Sequence, residues 1–200
     1  MAEHLVLIRH GLIAANREGR WHGSTDSPLT WQGGRQAKRT ARHLAKRPKP
    51  FEKIYVSPLQ RCQSTAAPIA ESFKLQPVIR HDLREWGIGD WEDTPYAELQ
   101  QTHDFMGRVR TDPHFQPPGG GESLAEVANR TVAAIREINA AHDGSVAVVS
   151  HGACLALALA VILDNDWHRW GEYMVANCSL TELVLRDNPY VNFFNRTEHL

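Results

Sequence analysis

Short runs of consecutive apolar residues alternate along the chain with longer segments whose apolar positions recur every three or four residues. That is the pattern of strands covered on both faces and helices packed on them. His4–Arg9 (HLVLIR) is apolar almost throughout and predicts a central strand. Trp31–Arg47 places Ala37, Ala41 and Leu44 on one helical face, with Thr30 as N-cap and Pro48 and Pro50 closing it. Ile54–Ser57 predicts a second strand, Pro58 starts a helix running to about Phe73, and Pro77–Arg80 predicts a third strand. Leu124, Val127, Val132, Ile135 and Ile138 share one face of a helix over Glu122–His142. Ser145–Ser150 is a buried strand followed by the apolar helix Ala153–Leu163. Ser179–Arg186 alternates as a strand, and Tyr190–Arg196 is a last, edge strand. This order predicts an α/β fold, a three-layer αβα sandwich around a mostly parallel central sheet, in a single domain over 1–200.

Residues 81 to 121, between the third strand and the long helix, depart from the alternation. They are rich in aromatic residues, contain one short helix near Pro95–His103 and end in Pro-Pro-Gly-Gly-Gly. Such an excursion predicts a functional flap. Its Trp86, Trp91, Tyr96, Phe105, Met106 and Phe115 either cover an apolar or aromatic ligand group or pin the flap to the body.

The chain has 200 residues, 42% hydrophobic, enough for one sizeable core. Its apolar runs are shorter than the roughly 18 residues of a membrane span, and Met-Ala-Glu-His lacks a basic leader region, so no membrane partner is expected. Three cysteines without a Cys-x-x-Cys pattern point to a reduced cytoplasm. The net charge of −1 excludes a strongly basic nucleic-acid binder. Seventeen of the 22 cationic residues are Arg, beside 11 His, which fits either nucleotide composition or the forked recognition of phosphate.

Position favours the second. Arg9-His10-Gly11 follows the first strand, Ser57-Pro-Leu-Gln-Arg61 the second, Arg84-Glu85 the third, and Ser150-His151-Gly152 the buried fourth. In open α/β sheets ligands bind at the carboxyl ends of strands, so these groups should converge on one crevice. Two guanidinium groups neutralise a phosphoryl dianion, and a neutral imidazole attacks phosphorus at neutral pH. A second imidazole, if protonated, adds charge, and a carboxyl group protonates a leaving oxygen. Gly11 and Gly152 let the backbone approach the phosphate. Glu92 and Asp90 lie close enough in sequence to share the part of Glu85. His22 reads as a loop residue and Cys62 as helix packing. The remaining histidines form no metal-binding pattern, so no metal and no cofactor is expected.

These residues carry a resemblance. Leu7–Ala37, with Arg9-His10-Gly11, Asn16, Arg20, Gly23 and Pro28-Leu29-Thr30, is similar to the signature of the histidine phosphatase superfamily in its phosphoglycerate-mutase-like branch. The similarity continues through SPLQRCQSTA at 57–66, LREWGIGDWED at 83–93, GGGES at 119–123, VVSHGACL at 148–155, NCSLTEL at 177–183 and the closing NRTEHL. By what the resemblance implies, His10 is the nucleophile that becomes phosphorylated, and Arg9, Arg61 and His151 form the phosphate pocket. Glu85 protonates the leaving alcohol and then activates water, Asn16 is a further phosphate contact, and Gly23 lines the pocket. Two positions depart from the family pattern: Leu12-Ile13 stands where an acidic or amide residue and Thr are usual, and Asp93 where Gly is common.

Three functions remain: a metal-independent phosphomonoesterase acting on a small phosphorylated metabolite, a cofactor-dependent phosphoglycerate mutase, and a silent module that binds phosphorylated ligands. The flap holds Arg108 and Arg110 against Asp90, Glu92, Asp93, Glu98, Asp104 and Asp112, a poor setting for the second phosphate of a mutase intermediate. The chain also stops at His199-Leu200 without a mobile tail to exclude water. Both features favour hydrolysis. An exposed sheet edge or the flap offers a surface for a homodimer.

Overall fold

The computed structural model describes residues 1–2 and 4–200. Six strands form one sheet: β1 (His4–Arg9), β2 (Phe51–Val56), β3 (Val78–Ile79), β4 (Ser145–Ser150), β5 (Leu180–Val184) and β6 (Tyr190–Arg196). Their order is β3-β2-β4-β1-β5-β6. The pairs β1–β4, β2–β4 and β2–β3 are parallel, whereas β5 and β6 are antiparallel to their neighbours. The fold is therefore α/β with a mostly parallel sheet.

Residue alternation along the two central strands explains the layers. Leu5, Leu7, Val146 and Val148 point to one face, against Ile135 and Ile138 of α6 (Leu124–Ala140) and Leu155 and Leu159 of α7 (Gly152–Asp164). Val6, Ile8, Ala147 and Val149 point to the other. There they meet Ala41 and Leu44 of α2 (Trp31–Leu44) and Cys62, Ala66 and Ile69 of α3 (Gln60–Phe73). Both strands are buried on both faces, which is why they read as continuous apolar runs. Thr30 caps α2 as expected, and α6 starts two residues later than expected with a cap of its own. Thr30 Oγ1 accepts from Gly33 N (3.0 Å), and Ser123 and Glu126 form a reciprocal capping box.

The segment over 81–121 holds two helices rather than one. A short helix, α1 (Ala14–Glu18), follows β1, and α4 (Tyr96–His103) and α5 (Phe105–Thr111) occupy the flap. Asp104, at φ 45°, separates the last two. Trp86, Ile88, Trp91, Leu99, Phe105 and Val109 pack with Leu124 and Val127 of α6 and Ala153 and Leu157 of α7. Most of the flap's aromatic residues thus pin it to the body. No helix among the described residues is long and apolar enough to cross a membrane, and the three cysteines are unpaired and buried.

Candidate active site

The strand ends converge as their positions predict. The backbone N–H of His10 donates to Ser150 O (3.0 Å), and that of Ser57 to Val149 O (3.0 Å), tying the exits of β1, β2 and β4 together. At this edge opens a cleft of about 350 Å³. Arg9, His10, Asn16, Glu85 and Gly152 line it together with Trp21, Tyr96 and Trp170.

His10 is buried, with 3% of its surface exposed. Its Nδ1 lies 2.8 Å from Gly11 O, an acceptor, so Nδ1 carries the proton and Nε2 keeps its lone pair. Burial, reinforced by the nearby charges of Arg9 and Arg61, holds the imidazole well below its ordinary range, so it is neutral at neutral pH. Arg9 donates from Nη1 to Val175 O (2.6 Å), while its guanidinium rests against Gly152. Burial lowers the Arg9 pKa, and the charge of Glu85 opposes that shift.

Arg61 and His151 lie behind His10 rather than on the cleft wall; both are fully buried. The rings of His10 and His151 are 5.2 Å apart. Arg61 donates to Thr25 O (2.7 Å), His22 O (3.0 Å), Gly23 O (2.8 Å) and, from Nε, to His151 Nδ1 (3.2 Å). Nδ1 of His151 is therefore unprotonated, and Nε2–H donates to Ser57 Oγ (2.7 Å). Burial and the charge of Arg61 push His151 well below its ordinary range. The protonated second imidazole considered from composition is thus replaced by a neutral one, because a guanidinium already occupies its other side.

Glu85 reaches the cleft from the loop after β3. Oε1 accepts from Trp86 N (2.9 Å) and Cys154 N (3.0 Å), and Oε2 from Ala153 N (3.1 Å). Its carboxylate so caps the first turn of α7, whose amides have no partner within the helix. Asp90 and Glu92 do not line the cleft. The Glu92 carboxylate accepts from Gly23 N, Ser24 N, Thr25 N and Ile88 N at 2.9–3.1 Å. It clamps the loop whose carbonyls hold Arg61.

The glycines have steric reasons. A Cβ on Gly11 would lie 2.7 Å from Gly33 O, and one on Gly23 would overlap the Trp86 carbonyl oxygen. Gly11 N–H donates to Thr65 Oγ1 (2.9 Å) and Gly23 N–H to Glu92, so neither amide is directed at the cleft. Gly152 borders it. Asn16 Oδ1 accepts from Asn177 Nδ2 (3.0 Å), which leaves the Asn16 amide N–H₂ for the cleft. Asn177 Nδ2 also donates to His10 O (3.0 Å), fixing the His10 backbone.

The two departures from the family pattern have distinct effects. Leu12 lines the cleft, whereas Ile13 is buried and bridges to Leu29. Asp93 adopts φ 57°, the left-handed region where Gly is most at ease. Its Oδ1 lies 2.9 Å from His22 Nε2, and that bond, with the charge of Arg20, lowers the Asp93 pKa. His22 is thereby held at the cleft edge.

Several residues of the site have no local signature. Trp170 and Met174 come from the 3₁₀ segment after α7 and the residue that follows it. Arg130 of α6 donates to the carbonyls of Asp82 (2.8 Å), Arg84 (2.7 Å) and Glu85 (3.0 Å) and pairs with Glu122 (2.8 Å). It shapes the loop that presents Glu85. Only its placement on the same helix as an apolar face was readable, and that face says nothing about its partners.

The chain is similar to known proteins along nearly its whole length. Residues 5–195 match the profile of the histidine phosphatase superfamily (branch 1). The chain is 31% identical to phosphoserine phosphatase 1 of Hydrogenobacter thermophilus, over 98% of this chain and 93% of that one. It is 32% identical to a probable phosphoglycerate mutase of Yersinia enterocolitica, over 94% and 87%. Its structure superposes on that of the Entamoeba histolytica phosphoserine phosphatase in complex with 3-phosphoglyceric acid with a TM-score of 0.87. That likeness, at 26% identity, covers 100% of this chain and 99% of the other.

Proposed function

The chain belongs to the histidine phosphatase superfamily (branch 1), and from that premise we propose that it hydrolyses phosphomonoesters through a phosphohistidine on Nε2 of His10. It is a phosphatase of small phosphorylated metabolites. The observation that carries the proposed chemistry is the tautomer of His10. Nδ1–H is fixed on Gly11 O, and Nε2 is unprotonated at the cleft beside Arg9 and Glu85.

In the first step Nε2 of His10 attacks phosphorus while the bond from phosphorus to the leaving oxygen breaks. Glu85 enters this step as the carboxylic acid and gives that oxygen the proton from Oε2, which has one amide partner where Oε1 has two. In the second step the Glu85 carboxylate takes a proton from water as the water oxygen attacks phosphorus. The P–N bond breaks, inorganic phosphate leaves and His10 is neutral again. Arg9 and the Asn16 amide hold the equatorial oxygens. Arg61 acts from behind, favouring the uncharged imidazole of His10 and anchoring the 22–25 loop, and His151 passes that anchor to Ser57. Gly11 and Gly23 let backbones cross closely, and Gly152 makes room for the Arg9 guanidinium. No metal enters this scheme, because protein groups supply the nucleophile, the charge and the proton.

Hydrolysis is favoured over mutation of phosphate position because, among the described residues, Arg9 is the one guanidinium on the cleft wall and no lysine lines it. A second phosphate would have no cation. The buried free thiols fit a reducing compartment, and we place the protein in the cytoplasm. The test is an alkaline denaturing quench during turnover of a labelled phosphomonoester in excess EDTA. Acid-labile, base-stable phosphate should appear on the wild-type protein and be absent from His10→Ala. Full turnover by His10→Ala, or a strict need for added divalent metal, contradicts the scheme.

A further inference from the structure

Beyond the phosphoryl end, the cleft has a composition that selects the alcohol part of the substrate. Trp21, Tyr96, Trp170, Leu12 and Met174 line it, beside the polar His22, Asn16 and Asn177. Trp21 meets Tyr96 edge-on at 5.9 Å and Trp86 at 5.6 Å, and Trp86 meets Trp170 at 6.0 Å. Trp86 is itself fully buried. Its carbonyl accepts from Trp21 Nε1 (3.0 Å), and its own Nε1 donates to Glu122 O (2.7 Å). The aromatic wall is therefore backed by a core residue whose polar atoms are already paired. It is preformed, with its rings edge-on to one another.

Among the described residues, Arg9 and Glu85 are the formally charged side chains of the cleft lining, and Tyr96 lies within reach of both charges. Arg9 sits at the strand end with the phosphoryl site, and both ring nitrogens of His22 are engaged, one with Asp93 and the other with Ser27 Oγ (3.2 Å). A leaving group bearing a carboxylate would meet indole and phenol rings, a leucine and a thioether, and would find Arg9 already engaged by the phosphoryl group. A flat apolar group would instead bury its faces against rings that need not rearrange.

We propose that the alcohol released by this phosphatase is uncharged and carries an aromatic ring, seated between Tyr96, Trp21 and Trp170. The inference rests on the phosphatase reading above and adds the leaving-group class. Carboxylate-bearing esters such as phosphoserine and 3-phosphoglycerate are then poor substrates, whatever related enzymes accept.

The test compares kcat/KM for 2-phenylethyl phosphate, ethyl phosphate, O-phosphoserine and 3-phosphoglycerate, all esters of primary alcohols. Differences among them then report mainly on the cleft. The phenylethyl ester should exceed the other three by about tenfold or more. In Trp170→Ala its advantage over ethyl phosphate should fall about tenfold. Met174→Lys, at a position 41% exposed where folding is not at risk, should lower the phenylethyl rate and raise that of 3-phosphoglycerate. Equal or faster turnover of phosphoserine or 3-phosphoglycerate by the wild type overturns the inference while leaving the phosphatase reading intact. So does an unchanged ratio in both variants. Failure to hydrolyse any of the four overturns the phosphatase reading, and the inference with it.

Discussion

Nε of Arg61 donates to Nδ1 of His151 across 3.2 Å, a guanidinium holding an imidazole in its uncharged form inside the core. The two come from α3 and the exit of β4, and both are fully buried. The pair leaves His151 no room to accept a proton at Nδ1, and His10, one ring away, is restrained in the same direction by burial and by Arg9 and Arg61.

This restraint makes stability depend on pH. An unfolded imidazole titrates near pH 6.5, whereas the folded values of His10 and His151 lie well below it. The unfolded chain therefore takes up protons that the folded one refuses. Stability from these groups is fully present above about pH 6.5 and is lost as pH falls toward the folded values. The loss approaches about 1.4 kcal/mol per pH unit per histidine, or about 2.8 for both. His199, lowered chiefly by burial, contributes with the same sign. Asp93, Glu126 and Glu172 are lowered carboxyl groups whose losses begin only near pH 4 and below, so they do not confuse the window. Urea midpoints should change little between pH 7.5 and 6.5 and fall clearly by pH 5.5, and a flat profile contradicts the assignment.

Glu85 and Glu92 should separate by the kind of damage they cause. In Glu85→Gln the proton donor is lost, and kcat should drop about 10²- to 10⁴-fold. In Glu92→Gln one carboxylate oxygen becomes an N–H₂ group facing two backbone donors, since Oε1 and Oε2 each accept two. The cost should be about 2–4 kcal/mol of stability, with a smaller fall in kcat per folded molecule. Urea unfolding alongside steady-state kinetics distinguishes the two; a stable, inactive Glu92→Gln would shift the acid role to Glu92.

Arg130 should behave as a positioning residue. Removing it in Arg130→Ala frees three carbonyls and leaves the Glu122 carboxylate with Arg84 and the Gly87 amide. We expect a loss of about 3 kcal/mol and a 10- to 100-fold lower kcat, with KM changing less, because the Glu85 loop shifts. Arg130→Lys should restore little, since an ammonium cannot span three carbonyls and a carboxylate. An alkaline limb of the kcat/KM–pH profile displaced in Arg130→Lys would link the effect to Glu85 as proton donor, and an unaltered kcat would argue against the role.

The thiols should be silent in the folded protein. Cys62, Cys154 and Cys178 are buried, and burial raises all three, Cys178 to about 12. A thiol reagent at pH 8 should label them at least about 100-fold more slowly than in urea. Rapid labelling of one thiol without loss of structure would show that its surroundings open.

Legibility in the sequence followed the range of the interactions involved. β1 and β4 were readable because strands buried on both faces need apolar residues at every position, and α6 because its apolar face repeats. The start of β2 at Phe51, three residues before the predicted strand, was hidden by Glu52 and Lys53, whose side chains lie at the sheet's outer end. α1 and α5 were not foreseen. Each is short, α1 buries only Ala15, and α5 depends on a left-handed Asp104 to begin a new helix. Among the flap aromatics the sequence left two uses open. Packing assigned Trp86, Trp91 and Phe105 to the core and Tyr96 to the cleft.

By itself the sequence determined the layered α/β architecture, the family and the convergence of His10, Glu85, Arg61 and His151 at strand ends, since all of these follow from local pattern and chain direction. Only the tertiary structure decided which way those side chains point and what they touch. Arg61 turns from the cleft to three loop carbonyls and His151, Glu85 caps a helix 68 residues further along the chain, and Trp170 completes a wall begun by Trp21. The physical reason is that strand and helix preferences act between near neighbours. A buried donor must instead find its acceptor wherever the folded chain brings one within hydrogen-bonding reach.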